Sequence, residues 1–109
     1  MSQAPVFAYY LDKPTGWKPD CAGYEILGWF YPGMGRECRD IRAVIDGKVF
    51  LGNYGLDRPD VAAAYPKDPN STRTGFAIRA HFCRSDKEVR LEYLDDKNQW
   101  QVFVRATPD

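Results

Sequence analysis

The chain reads as an all-β domain, an antiparallel sandwich of about seven strands with one short crossover helix. Three observations predict this. Short segments enriched in β-branched and aromatic residues alternate with period two and are separated by turn residues. An Asp46-Gly47 pair stands between two such segments, which is the strongest short-range hairpin signal because a type I′ turn needs positive φ at both positions. Only the stretch 58–66 has a helix-forming composition. At 109 residues the chain suits one domain, 1–109, since a second core would leave each half marginal.

The elements follow in order. Residues 6–11 form the first strand, and Asp12-Lys13-Pro14-Thr15-Gly16 breaks it with turn chemistry. Residues 23–31 are the longest and most apolar run, as expected of a central strand covered at least partly on both faces. Pro32-Gly33-Met34-Gly35 ends it. The hairpin strands are 41–45 and 48–54, on either side of Asp46-Gly47. In the helical stretch, Pro59 has φ preset for the first helical position, Asp60 complements the positive helix end, and three alanines precede Tyr65 and the stop at Pro66. Two turns cannot persist alone, so the helix must rest on the sheets, over one open end. Gly75–Phe82 puts Phe76, Ile78, Ala80 and Phe82 on one face, and 88–94 does the same with Val89, Leu91 and Tyr93. After an Asp95-Asp96-Lys97-Asn98 turn, 99–105 aligns Trp100, Val102 and Val104.

Composition excludes several function classes. Fifteen basic against fifteen acidic residues give zero net charge, which removes the attraction that drives nucleic-acid and anionic-membrane binding. A hydrophobic content of 44% argues against disorder, and no apolar run approaches the roughly 18 residues of a membrane helix. The residues Met1 to Pro5 carry no secretory pattern, so a cytoplasmic location is expected. Cys21, Cys38 and Cys83 are an odd set without C-x-x-C spacing, so reduced thiols are expected. A Cys21–Cys38 bridge is not expected, since the two would lie at opposite ends of the long strand, roughly 33 Å apart. Asn70-Ser71-Thr72 matches the N-glycosylation pattern, which needs a secretory route that the sequence does not show.

No enzymatic pattern survives inspection. The chain has no nucleophile elbow, zinc-protease or phosphate-loop motif, and Gly33-Met34-Gly35 precedes Arg-Glu-Cys-Arg instead of a phosphate-cradling helix. His81 falls on the face of its strand opposite the apolar set, where a solvated or cross-strand-paired role is expected. His81 and Cys83 share a face, yet a metal would need two further ligands that no close spacing supplies. Asp95 and Asp96 suit a turn better than a catalytic pair. No catalytic residue, metal or cofactor is therefore expected.

Three tryptophans, seven tyrosines and six phenylalanines give the chain its one feature with functional reach. Trp29 is expected in the core. Trp17, in a polar loop, is either a lid over a sandwich edge or an exposed platform for a sugar or a protein partner. Tyr31 and Tyr65, at element ends, and Trp100 are the other candidate contact residues. Arg58 and Asp60, on either side of Pro59, form a candidate clasp: Asp60 can accept from backbone N–H groups at the helix start, and Arg58 can reach a carboxylate or loop carbonyls.

Gly28-Trp29-Phe30-Tyr31, the run from Ile41 through Gly47, Tyr54-Gly55-Leu56 followed by Arg58-Pro59-Asp60-Val61-Ala62, Ala64-Tyr65-Pro66 and Gly75-Phe76 carry a family resemblance. Over about residues 24–104 the chain resembles the immunoglobulin-like accessory domains appended to bacterial glycosyltransferases and methyltransferases. That resemblance implies an immunoglobulin-like sandwich without catalytic residues, which contacts carbohydrate or positions a neighbouring catalytic domain. Docking on a protein partner would show as an exposed apolar patch, and sugar binding as two or three coplanar exposed rings.

Overall fold

The computed structural model describes residues 7–18, 20–83 and 86–107, with the side chains of Asp20, Cys21, Ala22 and Tyr24 outside that description. Seven strands and one helix follow in the order β1 (Ala8–Lys13), β2 (Asp20–Tyr31), β3 (Asp40–Ile45), β4 (Lys48–Leu56), α1 (Pro59–Ala64), β5 (Gly75–Phe82), β6 (Val89–Leu94) and β7 (Trp100–Ala106). All-β architecture, seven antiparallel strands and one short helix are as the sequence predicts. Val6, placed in the first strand from the sequence, lies outside the described residues.

Every neighbouring pair is antiparallel, and the strands join in a single sheet with the order β1-β2-β5-β4-β3-β6-β7, curled into a half-barrel. The curl is made at β4. Its first half, Lys48 to Leu51, pairs with β3, whereas Gly52 onward pairs with β5. One strand thus passes from one half of the sheet to the other, and the inner faces of the two halves meet. Asp46 and Gly47 take φ of 47° and 83°, as a type I′ turn requires. Asp46 also ties the turn to the start of β6, its carboxylate accepting from the backbone N–H of Lys87 and Glu88 at 2.9 Å each.

The core fills the concave side. Ile26 and Phe30 of β2 and the alternate residues Phe76, Ile78, Ala80 and Phe82 of β5 face Ile41, Ala43 and Ile45 of β3 and Val89, Leu91 and Tyr93 of β6. Phe30 is its centre: fully buried, it has ring centroids of Phe7, Tyr93 and Phe103 at 5.3, 4.3 and 4.6 Å. Tyr9 on β1 meets Phe103 on β7 at 5.3 Å, which draws the two edge strands toward each other.

Three expectations are corrected. Trp29 is only half-buried and lies outside the core, because β2 turns Ile26, Gly28 and Phe30 inward and leaves Trp29 on the convex face. In β7 the alignment of Trp100, Val102 and Val104 fails. Leu91 pairs with Val104 and Glu92 with Val102, so Phe103 is an extra residue at a bulge, and both Phe103 and Val104 reach the core. Cys83 is disulfide-bonded, whereas Cys38 is free. Spacing along one strand could not show this, because the pairing of β2 with β5 sets Asp20 opposite Phe82 and brings distant parts of the chain side by side. The thiol expectation for Cys21 falls on a side chain outside the described residues.

Helix α1 begins at Pro59 and buries Val61, at 2% exposure, while the Tyr65 N–H donates to the Val61 carbonyl and Pro66 follows. Arg58 makes a two-point contact with Asp60, Nε to Oδ1 at 3.0 Å and Nη2 to Oδ2 at 2.8 Å. It also donates from Nη1 to Asp12 of β1 at 2.6 Å. One guanidinium therefore joins the helix start to the edge strand. No side-chain cap closes the helix N-terminus.

Candidate functional site

The loops at one end of the half-barrel build the site. Tyr31 ends β2 and Tyr65 caps α1, and their rings stack at 4.2 Å with 23° between planes. The sequence singles out both residues, and the fold brings them together. The Tyr31 hydroxyl donates to Oδ2 of the buried Asp68 at 2.9 Å, and Asp68 Oδ1 accepts the Asn70 N–H at 2.9 Å. Burial, then the bond to Asp68 and its charge, push the Tyr31 hydroxyl up to about 12, so it stays a donor at neutral pH. The loop after α1 holds itself in shape: Ser71 Oγ donates to the carbonyls of Tyr65 and Asp68 at 3.0 and 2.8 Å, and Thr74 Oγ1 donates to that of Ser71 at 2.9 Å. Its buried polar groups are thereby satisfied.

Two hollows flank the Tyr31–Asp68 pair. The first is a cleft of about 520 Å³ with apolar walls, among them Phe7, Met34, Tyr31, Tyr65 and Pro66, and Met34 stands at its rim with 60% exposure. The second is a hollow of about 300 Å³ backed by Cys38 and Tyr54 and rimmed by arginines. The Tyr54 hydroxyl donates to the Phe30 carbonyl at 2.6 Å, and Cys38 Sγ donates to that of Asp40 at 3.3 Å. Burial pushes the Cys38 thiol up to about 12, which leaves it protonated and weakly nucleophilic.

The thiol's environment has a consequence for stability in alkali. Because the folded state holds the neutral thiol, its contribution is complete below the free thiol's pKa of about 8.5 and is lost as the pH rises toward 12. Between pH 8.5 and 11 the wild type is expected to lose on the order of 2 kcal/mol relative to Cys38→Ala in urea melts. Parallel pH profiles of the two proteins would refute the assignment.

The other candidate residues lie apart from this end. Trp17 is half-buried with its ring 6.4 Å from Phe82, packed against the core as a lid. Trp100 is half-buried on the far half of the sheet, under the Arg42 guanidinium at 4.0 Å, and Arg42 Nε in turn donates to Glu92 at 2.8 Å. Trp17, Tyr31, Tyr65 and Trp100 therefore do not form one stacking surface. His81 is exposed on β5 and meets the Phe50 ring edge-on at 5.1 Å. Among the described residues no group of three or more His, Cys, Asp and Glu could hold a metal. Asp95 serves its turn, with Oδ1 accepting the N–H of Lys97 and of Gln99 at 2.9 Å each.

Sequence reasoning missed Asp68, Met34 and the Cys38–Tyr54 floor. Lys67-Asp68-Pro69-Asn70 reads as an ordinary polar turn, and only the packed loop shows that Asp68 is buried beneath Tyr31. Compared with known proteins, the chain matches no family model, no curated protein and no solved structure.

Proposed function

We propose that the chain is a non-catalytic interaction domain that docks or positions a protein partner, of the glycan-modifying kind implied by the family resemblance, through the cleft beside Tyr31 and Tyr65. The stacked tyrosine pair in an apolar cleft of about 520 Å³ carries this reading, because such a cleft with a few fixed polar groups is suited to an inserted side chain of a partner. Its reactive groups are quiescent: Tyr31 holds its proton, and Asp68 is already engaged. The strand order supports the immunoglobulin-like assignment. The order β1-β2-β5-β4 followed by β3-β6-β7 is that of the two sheets of immunoglobulin constant-type domains, joined here into one sheet by the pairing of β3 with β4. The disulfide at Cys83 favours an oxidising compartment over the cytoplasm.

The test is capture from extract of the source cells with wild type, Met34→Glu and Trp100→Ala as baits, followed by mass spectrometry. The same partner should be held by wild type and Trp100→Ala and be reduced about tenfold or more on Met34→Glu, as expected when a charge enters an apolar contact. Equal capture by Met34→Glu would overturn the reading. Carbohydrate recognition, the other function the resemblance implies, has less behind it, because Trp17 packs on the core and Trp100 lies under Arg42, apart from the Tyr31–Tyr65 pair.

A further inference from the structure

We propose that the hollow on the other side of Tyr31, rimmed by Arg36, Arg39 and Arg73, is a binding site for the oxyanion of a small ligand, a carboxylate or a phosphate. A guanidinium presents five N–H groups. Arg36 uses Nε and Nη2 on Asp96, at 2.8 and 3.3 Å, and Arg39 uses Nε on Glu37 and Nη1 on Asn98, at 3.0 and 2.7 Å. Most of their remaining donors are unused, and among the described residues the Arg73 guanidinium has no partner at all.

The acidic groups lining the hollow do not cancel this surplus. Glu37 is paired with Arg39, and Asp68 accepts only from the neutral Tyr31 hydroxyl and Asn70 N–H, bonds that leave its charge in place, so what the hollow offers a ligand is the exposed guanidinium donors of Arg36, Arg39 and Arg73 and not a net positive charge. Planar forks of N–H donors match the two oxygens of a carboxylate or a phosphate, and Asn70, on the same wall, adds a neutral amide. A volume of about 300 Å³ is at the small end for ligand sites, so the hollow takes a compact anion or one anionic group of a larger ligand. The site is separate from the apolar cleft, and the inference stands whether or not that cleft docks a partner.

Amide chemical shifts read the test. The protein is titrated with sodium phosphate and, separately, with sodium succinate, each against sodium chloride at matched ionic strength. Saturable shifts are expected at Arg39, Asn70 and Arg73 with one or both oxyanions and not with chloride, and the anion that saturates first names the source. Arg73→Ala, which removes an exposed side chain with no partner, should keep the folded spectrum and weaken binding about tenfold. Arg79→Ala, an exposed arginine on β5 outside the hollow, should leave binding unchanged. Shifts that follow ionic strength alone, or undiminished affinity in Arg73→Ala, would overturn the proposal.

Discussion

Phe30→Ala is expected to destabilise the domain by about 3–5 kcal/mol, a large part of the 5–15 kcal/mol that holds a typical domain together. Phe30 has no exposed surface, and its ring touches aromatic neighbours from β6, β7 and the segment before β1. Two contributions add: the lost transfer free energy of the ring and the cavity left behind. The cavity cannot easily collapse, because Tyr93 and Phe103 sit on strands paired with each other and Phe30 sits on a strand paired on both sides. Urea unfolding followed by tryptophan fluorescence measures the cost. A loss below about 1.5 kcal/mol would show that this end of the core is loosely packed. Phe30→Leu, which keeps most of the volume, should cost markedly less.

The second large effect is expected at Gly52, where β4 leaves β3 and joins β5. A Cβ there would lie 2.5 Å from Ile78 Cγ1, 2.9 Å from the Ala77 carbonyl oxygen and 3.1 Å from Ile41 Cγ2. Ile78 and Ile41 are both buried core residues, so neither can swing into solvent, and the carbonyl belongs to the paired strand. Gly52→Val must therefore push the two halves of the sheet apart or break the β4–β5 ladder, at about 3 kcal/mol, at the upper end for overpacking. Gly52→Ala should cost less in the same direction. A valine variant within about 0.5 kcal/mol of wild type would mean that the corner is more open than these distances imply.

Much of the fold was legible because its signals are local. Period-two runs located all seven strands, Asp46-Gly47 located the hairpin, and Pro59 and Pro66 bracketed the helix, each through backbone preferences acting within a few residues. The errors came where a partner strand decides the outcome. Trp29 and Phe30 are adjacent aromatics in one apolar run, and nothing local says which of them faces inward. In β7 the bulge opposite β6 turned Phe103 inward and ended the alignment of Trp100 with Val104. Of the candidate site, Tyr31 and Tyr65 could be named as aromatics at element ends, but nothing local singles out Asp68, whose burial comes from the packing of its loop beneath Tyr31.

The sequence alone determined the pieces: which segments are extended, where the chain turns, and that neither charge nor motif supports nucleic-acid binding or a recognised catalytic pattern. The tertiary structure decided how β4 joins the two halves, that Cys83 is bridged and Cys38 buried, and that Tyr31, Tyr65 and Asp68 share one end of the sheet. The reason is physical. Strand and turn preferences are short-range, whereas strand order, burial of a thiol and the meeting of side chains from distant segments depend on pairings settled only when the whole chain packs.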